Sequence, residues 1–310
     1  MTSPSPPIPS GGVPRPSLRI QTVLYENDRT QLDRFLQGMA AATATAKEVG
    51  VVGDVVLAIG DCSSDPVLSE DWLDRYRGAF DAVTYLHYGE NLGSAGGHNR
   101  LFASLCEEHV VVCNADTYAS PQLLAELLAP FVDQGVGVVE ARQVPLEQPK
   151  VHDPLTGDTS WASGSCFAAR ACVIAATGGF DSELFFLHGD DVDFSWRAKL
   201  EGWRVVHRPA ASVFHDKRLT LSGNLHASDI EIVCGAEASV LLGWRYSRPD
   251  IAERNLAALA CSADPRHQEA LSRIRSRQAA GTLPEPLDAD GKVAQFVGVD
   301  YAVHRFTLGA

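Results

Sequence analysis

The sequence predicts an α/β protein, a largely parallel, helix-covered sheet running to about Asp216, with a helical appendage behind it. Three observations carry this reading. From Leu18 onward, short β-branched runs alternate with helical patterns, the order that builds parallel strands joined by helical crossovers. Clusters rich in Gly, Asn, Asp and Ser follow the strand runs, where an open α/β sheet collects its ligands. Beyond His215 the β-type runs stop and only helical patterns remain.

Residues 1–16 are rich in Pro, Ser and Gly and are read as a disordered tail. Strands are expected at 18–25, 51–60, 82–88, 109–114 and 135–142. Helices are expected at 30–49, 98–108 and 120–134, the last with Ser120 as N-cap and Pro121 at the first helical position. After residue 142 the rhythm breaks into a Pro- and Gly-containing stretch, a small-residue strand at 165–170 and a Gly- and Phe-rich turn. A helix at about 192–201 and a strand at 203–209 close the sheet region. Helical patterns follow at 229–247, 251–261 and 266–280, with no internal repeat. The expected layout is a tail (1–16), a sheet domain (17–216) and a mainly helical C-terminal region (217–310).

Composition narrows the function. The 310 residues carry 26 Lys+Arg against 39 Asp+Glu, a formal charge of −13, which argues against a bare nucleic-acid binder. Hydrophobic residues at 45% and charged residues at 21% are globular values and exclude a fibrous or disordered chain. Seven cysteines without a CxxC pair read as small buried hydrophobes in a reducing compartment. The N-terminus has no apolar signal core and no stretch reaches membrane-helix length, so a cytoplasmic protein is expected, any membrane contact being peripheral.

Four polar clusters follow the first four strands: YENDR (25–29), GDCSSD (60–65), GENLGSAGGHNR (89–100) and NADTY (114–118). Each alone reads as a turn; four at one sheet edge suggest a site. The glycine cluster lacks G-x-G-x-x-G spacing and follows the third strand, which weakens an oxidoreductase reading but leaves a nucleotide-contacting loop. Asp116, just beyond a buried strand, suits a hard divalent cation, and Asn114 can add an oxygen. Asp190, Asp191 and Asp193 crowd the start of a helix after Phe185 and Phe186, read as exposed aromatics. At least one of these carboxylates is expected to be a poised base, and Asp193 to pair with Arg197 one turn on. His215 suits either a metal ligand or a core histidine. The GWRYSRPD segment (243–250) reads as the end of a core helix rather than an exposed aromatic and basic patch.

In this order the motifs resemble the family-two inverting glycosyltransferases, most closely their bacterial rhamnosyltransferase-like branch, over roughly residues 18–216. YEND, GDCSSD, ENLGSAGGHNR, CNADT, GSCFAAR, GGFDSELFF, GDDVDFSWR and EGWRVVHRPAASVFH carry the match. Glu26 and Asn27 replace the usual Tyr-Asn, and Asn114 stands where the family has an acidic residue or its NPDT form. The resemblance implies a GT-A fold, a mostly parallel central sheet with helices on both faces, and transfer of a hexose from a UDP- or dTDP-linked donor to a hydroxyl acceptor, a saccharide, glycolipid or small-molecule glycoside, as in polysaccharide biosynthesis. It also implies inversion at the anomeric carbon and a divalent metal, Mn²⁺ or Mg²⁺. It assigns nucleotide-sugar contacts to Tyr25, Asn27, Asp61, Asn91, Gly93, Gly97, Asn99, Asn114, Ala115 and Asp116. Asp116 and His215 would hold the metal, Asp191 would be the general base, and Trp161, Gly164 and Asp190 would form the acceptor or sugar site. Lys217 and Arg218 sit where a loop can fold over the diphosphate, or form a solvated basic turn. A homo-oligomer is compatible with this reading. The competing readings are a non-catalytic nucleotide-sugar-binding or scaffold protein, and a nucleotidyltransferase; the latter would need a basic Gly-rich loop after strand one, which YENDR is not.

Overall fold

A computed structural model describes residues 15–147, 150–216 and 227–302. The β-branched runs form β1 (Leu18–Leu24), β2 (Val55–Asp61), β3 (Ala82–His87), β4 (His109–Cys113), β5 (Thr117–Ala119), β6 (Val136–Val144), β7 (Cys166–Arg170) and β8 (Arg204–His215). They make one sheet in the order β3-β2-β1-β4-β7-β6-β8-β5. Only β7 and β5 run against the other six, so the sheet is mostly parallel, as expected.

In the central strand β4, Val111 and Cys113 face one core and Val110 and Val112 the other, which is why its apolar run does not alternate. The first core holds α1 (Arg29–Glu48), α2 (Glu70–Arg77) and α4 (Leu123–Leu128) against the sheet. The second holds α3 (Gly93–Phe102), α5 (Ala171–Thr177) and α6 (Asp190–Leu200). Helix α1 starts at Asp28, whose side chain accepts from the amides of Thr30 and Gln31, a cap of the expected chemistry.

Several boundaries differ from expectation. Helix α3 begins at Gly93, not residue 98, so the glycines form its first turns. Helix α4 spans only Leu123–Leu128 with Gln122 as its cap, while Ser120 contributes just its carbonyl to the Leu123 amide. Pro130 cannot donate to the preceding turn, and the chain tightens into a 3₁₀ turn at Ala129–Val132. β8 runs on past Pro209 to His215 because its pairing with β6 steps from Ala141/Arg208 to Arg142/Ser212, leaving residues 209–211 of β8 in a bulge that absorbs the proline. Helices α2 and α5 and the short β5 go beyond the elements that the sequence pattern predicts.

Helices α7 (Asp229–Arg245), α8 (Pro249–Cys261) and α9 (Pro265–Ala280) form the C-terminal region. α7 opens with a capping box between Ser228 and Glu231. Ala238, Leu241 and Leu242 of α7, and Tyr246 just past its end, pack with Trp161, Phe185, Val192 and Trp196 in a third core. Phe185 is therefore buried and Phe186 half-buried, a correction to the exposed aromatics expected from sequence; Phe185 enters a core that residues far along the chain complete, and Phe186 lies against Gly93. Tyr246 is likewise buried, and Arg245 pairs with Asp181, so 243–246 is the end of a core helix, while Arg248 and Asp250 pair at the exposed start of α8. All seven cysteines are free thiols; Cys62, Cys113, Cys166 and Cys234 are buried, but Cys106, Cys172 and Cys261 are exposed. Among the described residues no helix is long and apolar enough to cross a membrane.

Candidate functional site

The register fixes which residues meet. Leu24 pairs with Asp61, Cys113 with Cys166, and Thr117 with His215, so the ends of β1, β2, β4 and β8 and the starts of β5 and β7 share one sheet edge. Residues 25–27, 61–67, 114–116, 163–165 and 215 gather there, at the carboxyl ends of the parallel strands.

At the β2 end Asp61 is fully buried, and its carboxylate accepts from the amides of Ser63 (2.9 Å) and Val67 (2.8 Å) and from the Tyr85 hydroxyl. Burial works to raise its pKa, but the Tyr85 hydroxyl and these amides outweigh it and hold the carboxyl below its ordinary value. Burial and the neighbouring carboxylate push the Tyr85 phenol upward. Asp61 thus braces the 61–67 loop with both oxygens instead of presenting a carboxylate to solvent. The loop and Glu26, Asn27 and Arg29 line an open hollow of about 380 Å³. Glu26, at φ 53°, donates its amide to Ser63 Oγ (2.8 Å), tying the β1 and β2 loops together; Tyr25 stands half exposed beside it.

The glycine cluster is mainly architectural. A Cβ on Gly97 would lie 2.7 Å from Val23 Cγ1 and 3.1 Å from Cys62 Sγ, so α3 lies tight on the sheet only because that position is bare. Gly93, at φ 68°, leaves room for the Phe186 carbonyl, which accepts from the Ser94 amide (3.0 Å), while Asn91 Oδ1 accepts from the Gly93 amide (3.1 Å). Asn99, expected to line a donor pocket, spends both ends of its amide on the backbone of Phe180, donating to the carbonyl (2.7 Å) and accepting from the amide (2.9 Å).

Asp116 and His215 meet across the β5–β8 pairing, His215 Nε2 lying 3.3 Å from Asp116 Oδ1. His215 Nδ1 is 2.9 Å from Gln143 Oε1, an atom that can only accept, so Nδ1 donates to it and the ring is held with Nε2 facing the carboxylate. Gln143, near the end of β6, carries no signal in the sequence, where it is one polar residue in a strand. Asn114 donates its amide to Ser165 O (2.9 Å) and takes the Thr117 hydroxyl on its carbonyl (2.6 Å), and Ala115 is buried. Among the described residues no group of three or more His, Cys, Asp and Glu side chains could hold a metal ion. Lys217 and Arg218 lie outside the described residues.

Asp191 sits in the first turn of α6, buried, with Oδ2 accepting from the Gly164 amide (2.8 Å) and Oδ1 from the Val192 amide (2.9 Å). Glycine at 164 leaves its Cβ position 3.4 Å from Asp191 Cβ. The preceding amide, of Ser163, donates to buried Glu140 (2.8 Å), which also takes Lys150 Nζ (2.5 Å) and faces His207 Nδ1 (3.0 Å). Burial works to raise the Glu140 pKa, but Lys150 and His207 hold it below the ordinary carboxylate value. Asp190 is buried beside Asp191. Asp193 is fully buried and pairs with Arg197 (2.7 Å), as its spacing predicts, and receives the Tyr246 hydroxyl (3.0 Å). Burial pushes its carboxyl up, with Arg197 and Arg245 opposing. Trp161, expected in an acceptor or sugar site, is instead fully buried, its Nε1 donating to Tyr301 O (3.3 Å), with Lys150 Nζ 3.8 Å from its ring centroid.

No protein-family model matches the chain. The pre-mycofactocin glycosyltransferases of two Mycobacterium tuberculosis strains are each 29% identical over 185 residues, 54% of this chain and 38% of the relative. The match thus spans less than half the length of those curated relatives. Among solved structures, the mannosyltransferase PcManGT from Pyrobaculum calidifontis, in complex with GDP-Man and Mn²⁺, superposes at TM-score 0.55 and 16% identity, over 89% of this chain and 78% of that one. GalNAc-T7 with UDP, GalNAc and Mn²⁺ superposes at 0.59 and 12%, over 87% and 56%. The fold is that of GT-A glycosyltransferases.

Proposed function

We propose that this chain is an inverting glycosyltransferase that moves a sugar from a UDP- or dTDP-linked donor to a hydroxyl acceptor, assisted by Mn²⁺ or Mg²⁺. The observation that carries the reading is the Asp116–His215 pair, with Gln143 aligning the imidazole, at the sheet edge that also holds Asp191. The kinship to glycosyltransferases and the nucleotide-sugars and Mn²⁺ bound by PcManGT and GalNAc-T7 support it.

The residues present fit a divalent cation. Two ligand atoms of suitable type, an imidazole nitrogen and a carboxylate oxygen, face one another, and the histidine is oriented from behind. Asp116 and His215 would hold such a cation from the protein side. The chemistry such a cation supplies when bound is charge neutralisation on the leaving diphosphate. The nucleotide lies in the hollow between the 25–29 and 61–67 loops, with Asn27 and Ser63 lining it, Tyr25 at its border and Asp61 acting as a positioning residue through its loop. Asn91, Gly93, Asn114 and Ala115 border the diphosphate and sugar.

A sugar hydroxyl is a weak nucleophile at neutral pH, so a carboxylate within hydrogen-bond reach must take its proton as the bond to carbon forms. Asp191 does this. The acceptor oxygen bonds to the anomeric carbon from the face opposite the diphosphate, the bond to the diphosphate oxygen breaks with its electron pair, and the proton passes to Asp191. The Gly164 amide fixes one carboxylate oxygen, while Asp190 shapes the approach to the sugar. The test is release of nucleoside diphosphate from UDP- and dTDP-sugars with Mn²⁺ or Mg²⁺. Metal-dependent release from one donor, abolished by chelator, is expected. Nucleotide binding without release from any donor would favour the non-catalytic binder instead.

A further inference from the structure

Beside Asp191 lies a buried charged cluster that the donor and metal residues do not use. Glu140 of β6 is fully buried, the Lys150 side chain is 6% exposed, and the two pair at 2.5 Å. Glu140 Oε2 faces His207 Nδ1 (3.0 Å), and Lys150 Nζ lies 3.8 Å from the Trp161 ring centroid. Burial pushes the Lys150 ammonium below its ordinary value, with Glu140 and then Asp191 opposing, so the cluster stands within electrostatic reach of Asp191.

A buried ion pair is a weak source of stability. Desolvation offsets much of the attraction, and apolar residues of similar volume often serve a fold as well. The reason for a carboxylate at position 140 therefore lies in what it holds.

Glu140 holds the backbone that meets Asp191. Three successive amides donate to side chains: Ala162 to Ser195 Oγ (2.9 Å), Ser163 to Glu140 Oε1 (2.8 Å) and Gly164 to Asp191 Oδ2 (2.8 Å). Ser195 in turn donates its hydroxyl to the Asp191 carbonyl (2.7 Å). The outer two amides thus clasp the start of α6, and the middle one ties that clasp to β6 in the sheet. Ser163 is itself buried, so water cannot readily replace Glu140 as the acceptor of its amide. The Cβ position of Gly164 is 3.4 Å from Asp191 Cβ and 3.5 Å from Oδ2, so a small shift of the 162–164 backbone is felt at the carboxylate.

We propose that Glu140 is a positioning residue for the base: by accepting from the Ser163 amide it fixes the Gly164 amide, and through it the direction in which Asp191 meets the acceptor hydroxyl. Lys150 neutralises Glu140, so that a carboxylate can stand there. The role of Asp191 as base rests on the glycosyl-transfer reading; the fixing of Asp191 by Glu140 does not.

The test compares two double variants of the full chain, Glu140→Gln/Lys150→Met and Glu140→Met/Lys150→Met. Both lose the two charges, and they differ in one respect: glutamine keeps an oxygen for the Ser163 amide, whereas methionine has a methyl group in its place. Amide hydrogen exchange in [¹⁵N]glycine-labelled protein is read at Gly164, with Gly60 of β2 as the internal reference for any change in overall stability. The expected result is exchange at Gly164 about tenfold or more faster in the methionine variant than in the glutamine variant, relative to Gly60. In the same pair, kcat for release of nucleoside diphosphate from the UDP- or dTDP-sugar that the unsubstituted protein turns over should be about 10- to 100-fold lower with methionine, while the donor Kd agrees within about threefold. Equal exchange at Gly164 in the two variants, equal kcat, or a loss of donor affinity in place of kcat each overturns the proposal. Were the methionine variant not to fold, the glutamine variant is read against the unsubstituted chain, and loss of Gly164 protection there overturns it as well. An unsubstituted protein that turns over no UDP- or dTDP-sugar would strike the glycosyl-transfer reading instead, while the exchange difference at Gly164 would still show that Glu140 fixes the segment holding Asp191.

Discussion

Replacing Asp61 with alanine tests how the nucleotide-side loop is held. Two amides and a phenol converge on this fully buried carboxylate. A hydrogen bond to a charged group contributes about 1.5–3 kcal/mol, and a buried donor left unpaired costs about 1–3 kcal/mol. The three bonds share one acceptor and are not additive, and Val67 is half-buried, so water recovers part of the loss. The net destabilisation expected at pH 7 is about 3–5 kcal/mol, and Tyr85→Phe, which removes one bond, loses about 1.5 kcal/mol. The pH dependence has a definite sign. The Asp61 pKa is lowered in the folded state, so its contribution is complete above the unfolded value of about 3.9 and is lost as pH falls through the folded one. Buried His98, whose pKa is pushed down to about 3 by desolvation, also destabilises the fold as pH falls below the ordinary histidine range, but it does so in every variant and cancels in the difference. Urea unfolding followed by tryptophan fluorescence at a series of pH values measures this. A difference below about 1 kcal/mol at pH 7, or one that stays constant down to about pH 2, would refute the reasoning.

Other predictions follow from the same interactions. Gly97→Ala should lower stability by about 1 kcal/mol, since overpacking against Val23 and Cys62 costs about 1–3 kcal/mol and helix propensity returns about 1 kcal/mol; an unchanged urea midpoint would mean that α3 does not lie as tightly as described. Tyr246→Phe removes the hydroxyl from buried Asp193 and should cost about 1.5–3 kcal/mol in the same assay. Gln143→Met keeps the size of the side chain but releases His215, and should weaken Mn²⁺ binding in the presence of nucleotide about 10- to 100-fold by electron paramagnetic resonance titration; unchanged affinity would remove Gln143 as the orienting group.

What could be read in the sequence was set by range. The strand and helix order was legible because period and β-branched runs are local, and so was the Asp193–Arg197 pair, one helical turn apart. The start of α3 was not, because its glycines look like a loop until Phe186 comes up against Gly93, and Val23 of β1 and Cys62 against Gly97, to require bare positions there. β8 read as ending at Pro209, since only its pairing with β6, which resumes at Ser212 after a bulge, shows that the strand continues past that proline. Trp161 could not be recognised as buried, because its cover, Tyr301, is 140 residues away. Gln143 has meaning only through the imidazole opposite it. Polar residues that follow strands were readable as a group at one edge; which of them brace the loops, as Asp61 and Asn99 do, depends on partners that spacing does not reveal.

The central claim, that Asp191 takes the acceptor proton, is tested most directly by comparing turnover and donor binding in Asp191→Asn. The substitution keeps the side chain's shape and an oxygen for the Gly164 amide but removes the base. The account predicts that kcat for sugar transfer falls by about 10²- to 10⁴-fold while the nucleotide-sugar Kd stays within about threefold. Transfer at the unsubstituted rate, with the donor bound as before, would contradict it.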